Sequence, residues 1–237
     1  DIASVTNGIE SGTQQVTATI DDEEPVDFGD APDISTGTGA GDYQTIHANN
    51  GPSHMIVPGL FLGATVDVDN GALQNATANA DDVGGALPDD EDGVLSPLDL
   101  RGTVGAASTV TLLVTNTTAA TATLAGWIDY NRNGVFDNAT ERATVTVATG
   151  TTDGRVTLIF PTTPAGSVGR TYARFRLSTD AAFVESPAAT GFASNGEVED
   201  YAFTITAPTD EPVTVDNFLR IASGTNGGPT LADIDYF

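Results

Sequence analysis

Six short segments that begin near residue 105 limit most severely what this chain can become: "STVTLLVTNT", "ATLAGWIDYN", "ATVTVATG", "GRVTLIFP", "TYARFRLS" and "VEDYAFTITA". Each alternates apolar with polar residues, or stays apolar, for the length of a strand, and Gly, Asp, Asn or Pro punctuates the gaps. Valine, threonine, isoleucine and aromatics at period two suit a pleated surface and lack the 3.6-residue stripe of an amphipathic helix. Six strands at this spacing bury their inner faces by stacking as two sheets. The expected fold is all-β, an antiparallel β-sandwich of jelly-roll or immunoglobulin-like topology with long acidic, metal-ordered loops.

Residues 25 to about 95 are richer in Gly and Asp, with one clear strand from Leu60 to Asp69. From Gln74 to Asp92 the chain is mostly Ala, Asn, Asp and Gly, an irregular loop that needs a cause for its order. Residues 1–24 read as a strand, a turn and a second strand, Gln15 to Ile20, closed by an acidic linker. A lone hairpin is marginal in water, so this one packs on the rest of the chain or belongs to a neighbouring module. The break "APTDEPVTVD" then separates residues 208–237, a linker and the start of a further β module. The expected units are 1–24, 25–207 and 208–237. The chain begins at Asp1 without a basic or apolar leader, as expected where a signal peptide has been removed or a piece excised from something longer. No apolar run approaches membrane-spanning length.

The chain carries 33 acids against eight basic residues, all arginine, for a formal charge of -25. Such a field opposes any approach to a phosphate backbone, which argues against nucleic acid as a partner. Cysteine is absent, so the fold uses neither disulfides nor thiol ligands. Acids scattered evenly would fit a salt-adapted, hydrated surface, but these occur in clusters punctuated by glycine.

The most specific cluster is "DYNRNGVFD". Asp129, Asn131 and Asn133 take positions 1, 3 and 5 of a calcium loop, Gly134 the sharp turn at 6, Val135 the backbone carbonyl at 7 and Asp137 position 9. Thr140 stands at position 12 and Glu141 follows it, displacing the bidentate acid by one. No helix flanks the loop, so the chemistry is EF-like but set between strands. The same Asx spacing also describes a polar hairpin turn. Three further clusters are Asp89, Asp90, Glu91 and Asp92 (following Asp81 and Asp82), then Glu197, Glu199 and Asp200, and finally Asp27 with Asp30. Four consecutive carboxylates repel one another unless a cation or arginine neutralises them. Glu197 and Glu199 share one face of their strand and Asp200 lies on the other.

"DFGDAPD", "GPSHMI", "LFLGATVDVDNG", "DDEDGV", "GWIDYNRNGVFDNATER", "TYARFRLS" and "GEVEDY" together resemble, in order and wording, the GEVED domain of large bacterial secreted or surface-anchored proteins, over residues 25–207. Asp69 stands where that pattern usually has Glu. The resemblance implies an extracellular β-sandwich that binds Ca2+ and assigns no catalytic activity. Residues 1–24 resemble the end of a Calx-beta-type repeat, and "LADIDYF" the start of an FG-GAP-type repeat.

Enzyme motifs are missing: there is no GxSxG, HExxH or phosphate loop, and only His47 and His54. Glu197 and Glu199 imitate a glycosidase pair, yet residues two apart on one strand more simply share a cation or an arginine. His54 is expected to be structural. Trp127 is expected in the core; exposed together with Tyr43, Tyr130 or Tyr172 it would instead form a sugar-stacking platform. Arg174 and Arg176 share a strand face with Tyr172 and are expected to pair with the acids of "GEVEDY". These observations lead to a calcium-binding, non-catalytic, structural or adhesive module, secreted or at the cell surface, whose partners are neighbouring modules or copies of itself. Alternatives are a self-assembling filament subunit that exchanges terminal strands, and a carbohydrate-binding accessory module.

Overall fold

The computed structural model describes residues 25–80, 90–95 and 100–208. Among these are eleven strands: β1 (Val26–Phe28), β2 (Pro52–Met55), β3 (Leu60–Leu62), β4 (Gly102–Thr103), β5 (Ala107–Asn116), β6 (Ala122–Ile128), β7 (Arg142–Val147), β8 (Thr151–Thr162), β9 (Gly169–Ser178), β10 (Gly191–Ala193) and β11 (Glu197–Thr206). Beside a 3-10 turn at His47–Asn49 there is one short α-helix, α1 (Ala181–Glu185), capped by the Asp180 carboxylate, which accepts from the Ala182 and Phe183 amides.

The alternation legible in the sequence sorts side chains between layers. In β5, Ser108, Val110, Leu112 and Val114 are buried while Ala107 and Thr109 face water. Strands β3, β5 and β8 form one antiparallel sheet, and β4, β11, β9, β6 and β7 the other, so the fold is a β-sandwich. Leu112, Val114, Leu158 and Phe160 from the first sheet meet Leu124, Ile128, Phe175 and Leu177 from the second in the main core. Gly126 is needed at this seam, because a Cβ there would stand 2.7 Å from Leu158 and 2.8 Å from Phe175.

Strand β6 is buried along its whole length, unlike β5. The five-stranded sheet is covered on both faces. Its outer face carries Ala125, Trp127 and Tyr172, which pack with Tyr43, Phe136 and Phe183 in a second core. The cover is made of segments that precede the sandwich strands in sequence and of insertions between those strands, joined by a small sheet in the order β1-β2-β10.

All six strands read from alternation are present. The strand expected from Leu60 to Asp69 ends at Leu62, and two short pairings, β4 with β11 and β2 with β10, are parallel. The hairpin expected within 1–24, the module expected beyond residue 208, and Asp81, Asp82 and Asp89 lie outside the described residues. No helix among the described residues is long and apolar enough to cross a membrane.

Two buried arginines fasten the cover to the sheet. Arg174 binds Asp200 through Nε at 2.7 Å and Nη2 at 2.7 Å, and spends its other donors on Thr45 Oγ1 and the Gln44 and Ala189 carbonyls. Arg176 departs from the expected pairing with acids. Its Nε donates to His54 Nε2 at 2.8 Å, and its Nη atoms to the carbonyls of Ala188, Thr190, Gly191 and Ser53. Each guanidinium thereby uses all five N–H groups. Burial, and then the charge of Arg174, lower the Arg176 pKa to about 9. His54 is fully buried and accepts from Arg176 at Nε2, so Nδ1 carries the proton given to the Asn195 carbonyl at 2.8 Å. Burial holds its pKa well below the usual value, consistent with a neutral, structural ring.

Removing one partner of a buried pair strands the other's charge. Asp200→Ala is expected to lower the free energy of unfolding by about 3–5 kcal/mol in urea titrations; unchanged stability would show that the pair does not hold the cover.

Candidate functional site

In the 129–141 loop the sequence positions fall as expected, but the side chains serve the backbone. Asp129 is fully buried. Its Oδ1 accepts from the Arg132 amide at 2.6 Å and the Asn133 amide at 3.3 Å, and its Oδ2 from the Gly134 amide at 2.9 Å and the Tyr43 hydroxyl at 2.8 Å. Asn131 and Asn133 accept from the amides two residues on, of Asn133 and Val135, and Asp137 does the same for Ala139. Gly134 is required by a φ of 77° and by the Asp42 carbonyl, 2.2 Å from where a Cβ would stand. Glu141 turns inward, its two oxygens accepting from the Tyr130 and Asp137 amides at 2.9 Å each. Desolvation first, and the Asp129 charge in addition, raise its pKa to about 7.

A second group of carboxylates is gathered by the motif Gly196–Asp200 of β11. Gly196, at φ 107°, leaves no room for a Cβ, which would stand 1.7 Å from the Leu177 carbonyl oxygen. Alternation then sends Glu197 and Glu199 to the inner face and Asp200 to the outer face, where it meets Arg174. Glu197 accepts from the Leu62 amide of β3, and Glu199 from the Gly93 amide at 2.7 Å and the Tyr201 hydroxyl at 3.2 Å. Strand β4 pairs with β11 only at Ile205 and Thr206. The Val198 amide, on that same uncovered edge, donates to Asp27 Oδ2 at 2.6 Å.

Asp27, Asp90, Glu197 and Glu199 are all buried. Desolvation is the largest cause raising the pKa of Asp27, Glu197 and Glu199 well above the usual carboxylate range. Their mutual repulsion adds to it, and the charge of Asp90 acts on all three. Glu197 Oε1 is buried without a hydrogen-bond partner.

The other candidate residues lie around this group. Asp92 accepts from the Ala64 amide at 2.8 Å and the Thr65 hydroxyl at 3.3 Å, and its charge reaches Glu199. Asp90 accepts from the Asp67 amide at 3.1 Å, and Glu91 acts electrostatically on Tyr201. Asp30 instead takes the Ala80 amide at 2.6 Å. As the side chains stand, each turned to its own donor, no three His, Asp or Glu among the described residues form a group that could hold a metal ion. Sequence reading missed Asp33 and Asp42. Asp33 accepts from the Thr45 and Ile46 amides, and Asp42 from those of Ile34 and Ser35. Asp42 stands apart from other acids and gave no signal, whereas Asp33 lies three residues after Asp30 within "DFGDAPD", which was the signal available. Trp127, Tyr43, Tyr130 and Tyr172, the aromatics available for sugar stacking, are all buried, and Trp127 Nε1 donates to Asn138 Oδ1 at 2.8 Å.

Fold and site together define a β-sandwich module whose last strand carries buried acids on one face and a buried arginine partner on the other. A family model for the GEVED domain matches residues 123–204, the part of the chain from β6 to β11. Neither the curated proteins nor the solved structures include a match to this chain.

Carboxylates whose folded pKa is raised stabilise the fold fully below their unfolded pKa and lose that contribution as pH rises through the folded value. For Glu141 the window runs from 4.5 to about 7. In EDTA, the melting temperature of the wild type relative to Glu141→Gln is expected to fall as pH rises across that window. The comparison cancels the opposite contribution of His54, whose depressed pKa makes stability fall with acidification. A difference independent of pH would show that Glu141 is ionised throughout.

Proposed function

We propose that the chain is a non-catalytic, calcium-stabilised β-sandwich module of a larger bacterial protein, secreted or at the cell surface, with a structural or adhesive role beside neighbouring modules or copies of itself. The observation that carries this reading is the buried, unpartnered Glu197 Oε1 beside Glu199, Asp27 and Asp90. Hard oxygen donors with too little positive charge among them suit calcium by their chemistry. Glu197, Glu199, Asp27 and Asp90 would hold the ion after turning from their present donors. Bound calcium supplies the positive charge that the group lacks. The four side chains come from β1, the 90–95 segment and β11, so their convergence would fasten the uncovered edge of β11 to the loops beside it.

The role follows from linkage: a ligand that binds only the folded state stabilises it by RT ln(1 + [L]/Kd). Extracellular modules bind calcium with Kd of about 10⁻⁴ to 10⁻³ M, which keeps sites filled outside the cell and empty within it. The 129–141 loop is a weaker candidate for the first ion, because Asp129 and Glu141 would have to release amides they already satisfy.

Calorimetric titration is expected to give saturable calcium binding, with a gain of about 2.7 kcal/mol at a hundredfold excess over Kd. Glu197→Gln should abolish the gain and, in EDTA at alkaline pH, raise stability, because it removes a group whose ionisation burial opposes. Hydrogen exchange in 90–95 should slow with calcium. Binding unaffected by Glu197→Gln would move the site elsewhere, and stability indifferent to calcium would overturn the reading.

A further inference from the structure

The arginines of this acidic chain are unevenly used. Among the described residues the only ion pair is Arg174 with Asp200. Arg132 and Arg170 flank one open cavity of about 470 Å³, whose walls include Tyr43, Asn131 and Tyr172 and no carboxylate. In a chain with 33 acids, a cavity bounded by two arginines and no acid is a local reversal of sign.

Both guanidiniums are held in place by carbonyls, which fix them without neutralising them. Arg132, at a left-handed φ of 58°, donates to the Val168 and Gly166 carbonyls. Gly169 makes the room, because a Cβ there would stand 2.2 Å from Arg132 Nη1. Arg170 donates to the Ala76 carbonyl and lies 5.9 Å from the centroid of the Tyr172 ring. Tyr172 gives its hydroxyl to the same Ala76 carbonyl at 2.8 Å, and its ring meets that of Tyr43 edge-on at 5.1 Å. Two of the five Arg132 donors and one of the Arg170 donors are so engaged, and the remainder can serve a ligand. The nearest acid of the loop, Asp129, is buried and spent on its four donors.

We propose that this cavity binds a carboxylated sugar residue, a hexuronate, with its carboxylate between Arg132 and Arg170. Guanidinium forks match carboxylates in geometry and charge. The volume falls in the range of small-molecule sites. Asn131 accepts the Asn133 amide at its Oδ1 and keeps its Nδ2 donors for a sugar hydroxyl. The chain's charge of -25 selects against a polyacidic partner, whereas one carboxylate on an otherwise neutral ring is opposed least. The assignment does not rest on calcium binding.

The test is a titration of the whole chain with sodium D-glucuronate, D-glucose and sodium acetate, followed by amide chemical shifts. It is run in EDTA and again in calcium, because uronates themselves bind calcium. The expected result is saturable shifts at Gly41, Asn131 and Tyr172 with glucuronate in both conditions, none with glucose, and at least tenfold weaker binding of acetate. Arg170→Gln, at an exposed position, should weaken glucuronate binding at least tenfold with unchanged melting temperature, and Arg132→Gln should do the same if the loop stays folded. Absence of shifts with millimolar glucuronate in EDTA would overturn the proposal. So would acetate binding as tightly as glucuronate, or glucuronate binding that Arg170→Gln leaves intact.

Discussion

Buried carboxylates that accept hydrogen bonds from backbone amides organise everything outside the two regular sheets. Asp33, Asp42, Asp129, Glu141 and Glu199 each take amides from loop segments, and Asp27 and Glu197 take the Val198 amide of β11 and the Leu62 amide of β3. A buried amide left unpaired costs about 1–3 kcal/mol, and bonds to charged acceptors are the stronger kind. Loops this rich in Gly and Asp have little apolar surface to bury. These bonds join the second core in ordering the loops, and they are made by the same acids that the sequence offered to a metal.

Strand β11 is where that system meets the sandwich. One face of Gly196–Asp200 sends glutamates toward β3 and the 90–95 segment; the other gives Asp200 to Arg174 and, through it, to the cover. A single strand therefore joins an anionic region to a cationic one across the thickness of a sheet. The two arginines behind it bind mostly carbonyls, the complement of what the carboxylates do with amides.

The strands were legible because a sheet buried on one face forces period two, and β5 obeys it from Ala107 to Val114. The placement of Glu197 and Glu199 opposite Asp200 followed from the same rule. Strands β1, β2 and β10 were illegible: three or four residues carry no period, and the pairing of β2 with β10 joins segments more than a hundred residues apart. The 129–141 spacing left two readings open, because an Asx residue that could face an ion offers the same oxygen to an amide two residues on. Arg176 was misassigned because its acceptors are carbonyls, which every residue possesses and no composition reveals.

The double use of Asp129 has a consequence for how sequences like this one can change. Each of its oxygens receives two donors, and asparagine would present an N–H to one of those pairs. Glu141, with an amide on either oxygen, is constrained in the same way. Amidation, the smallest step by which a lineage sheds negative charge, is thereby closed at the positions that shape the loops. Part of the -25 is then architecture carried in the interior, and descendants of this sequence moving to any other ionic habitat would have to shed charge from the surface alone.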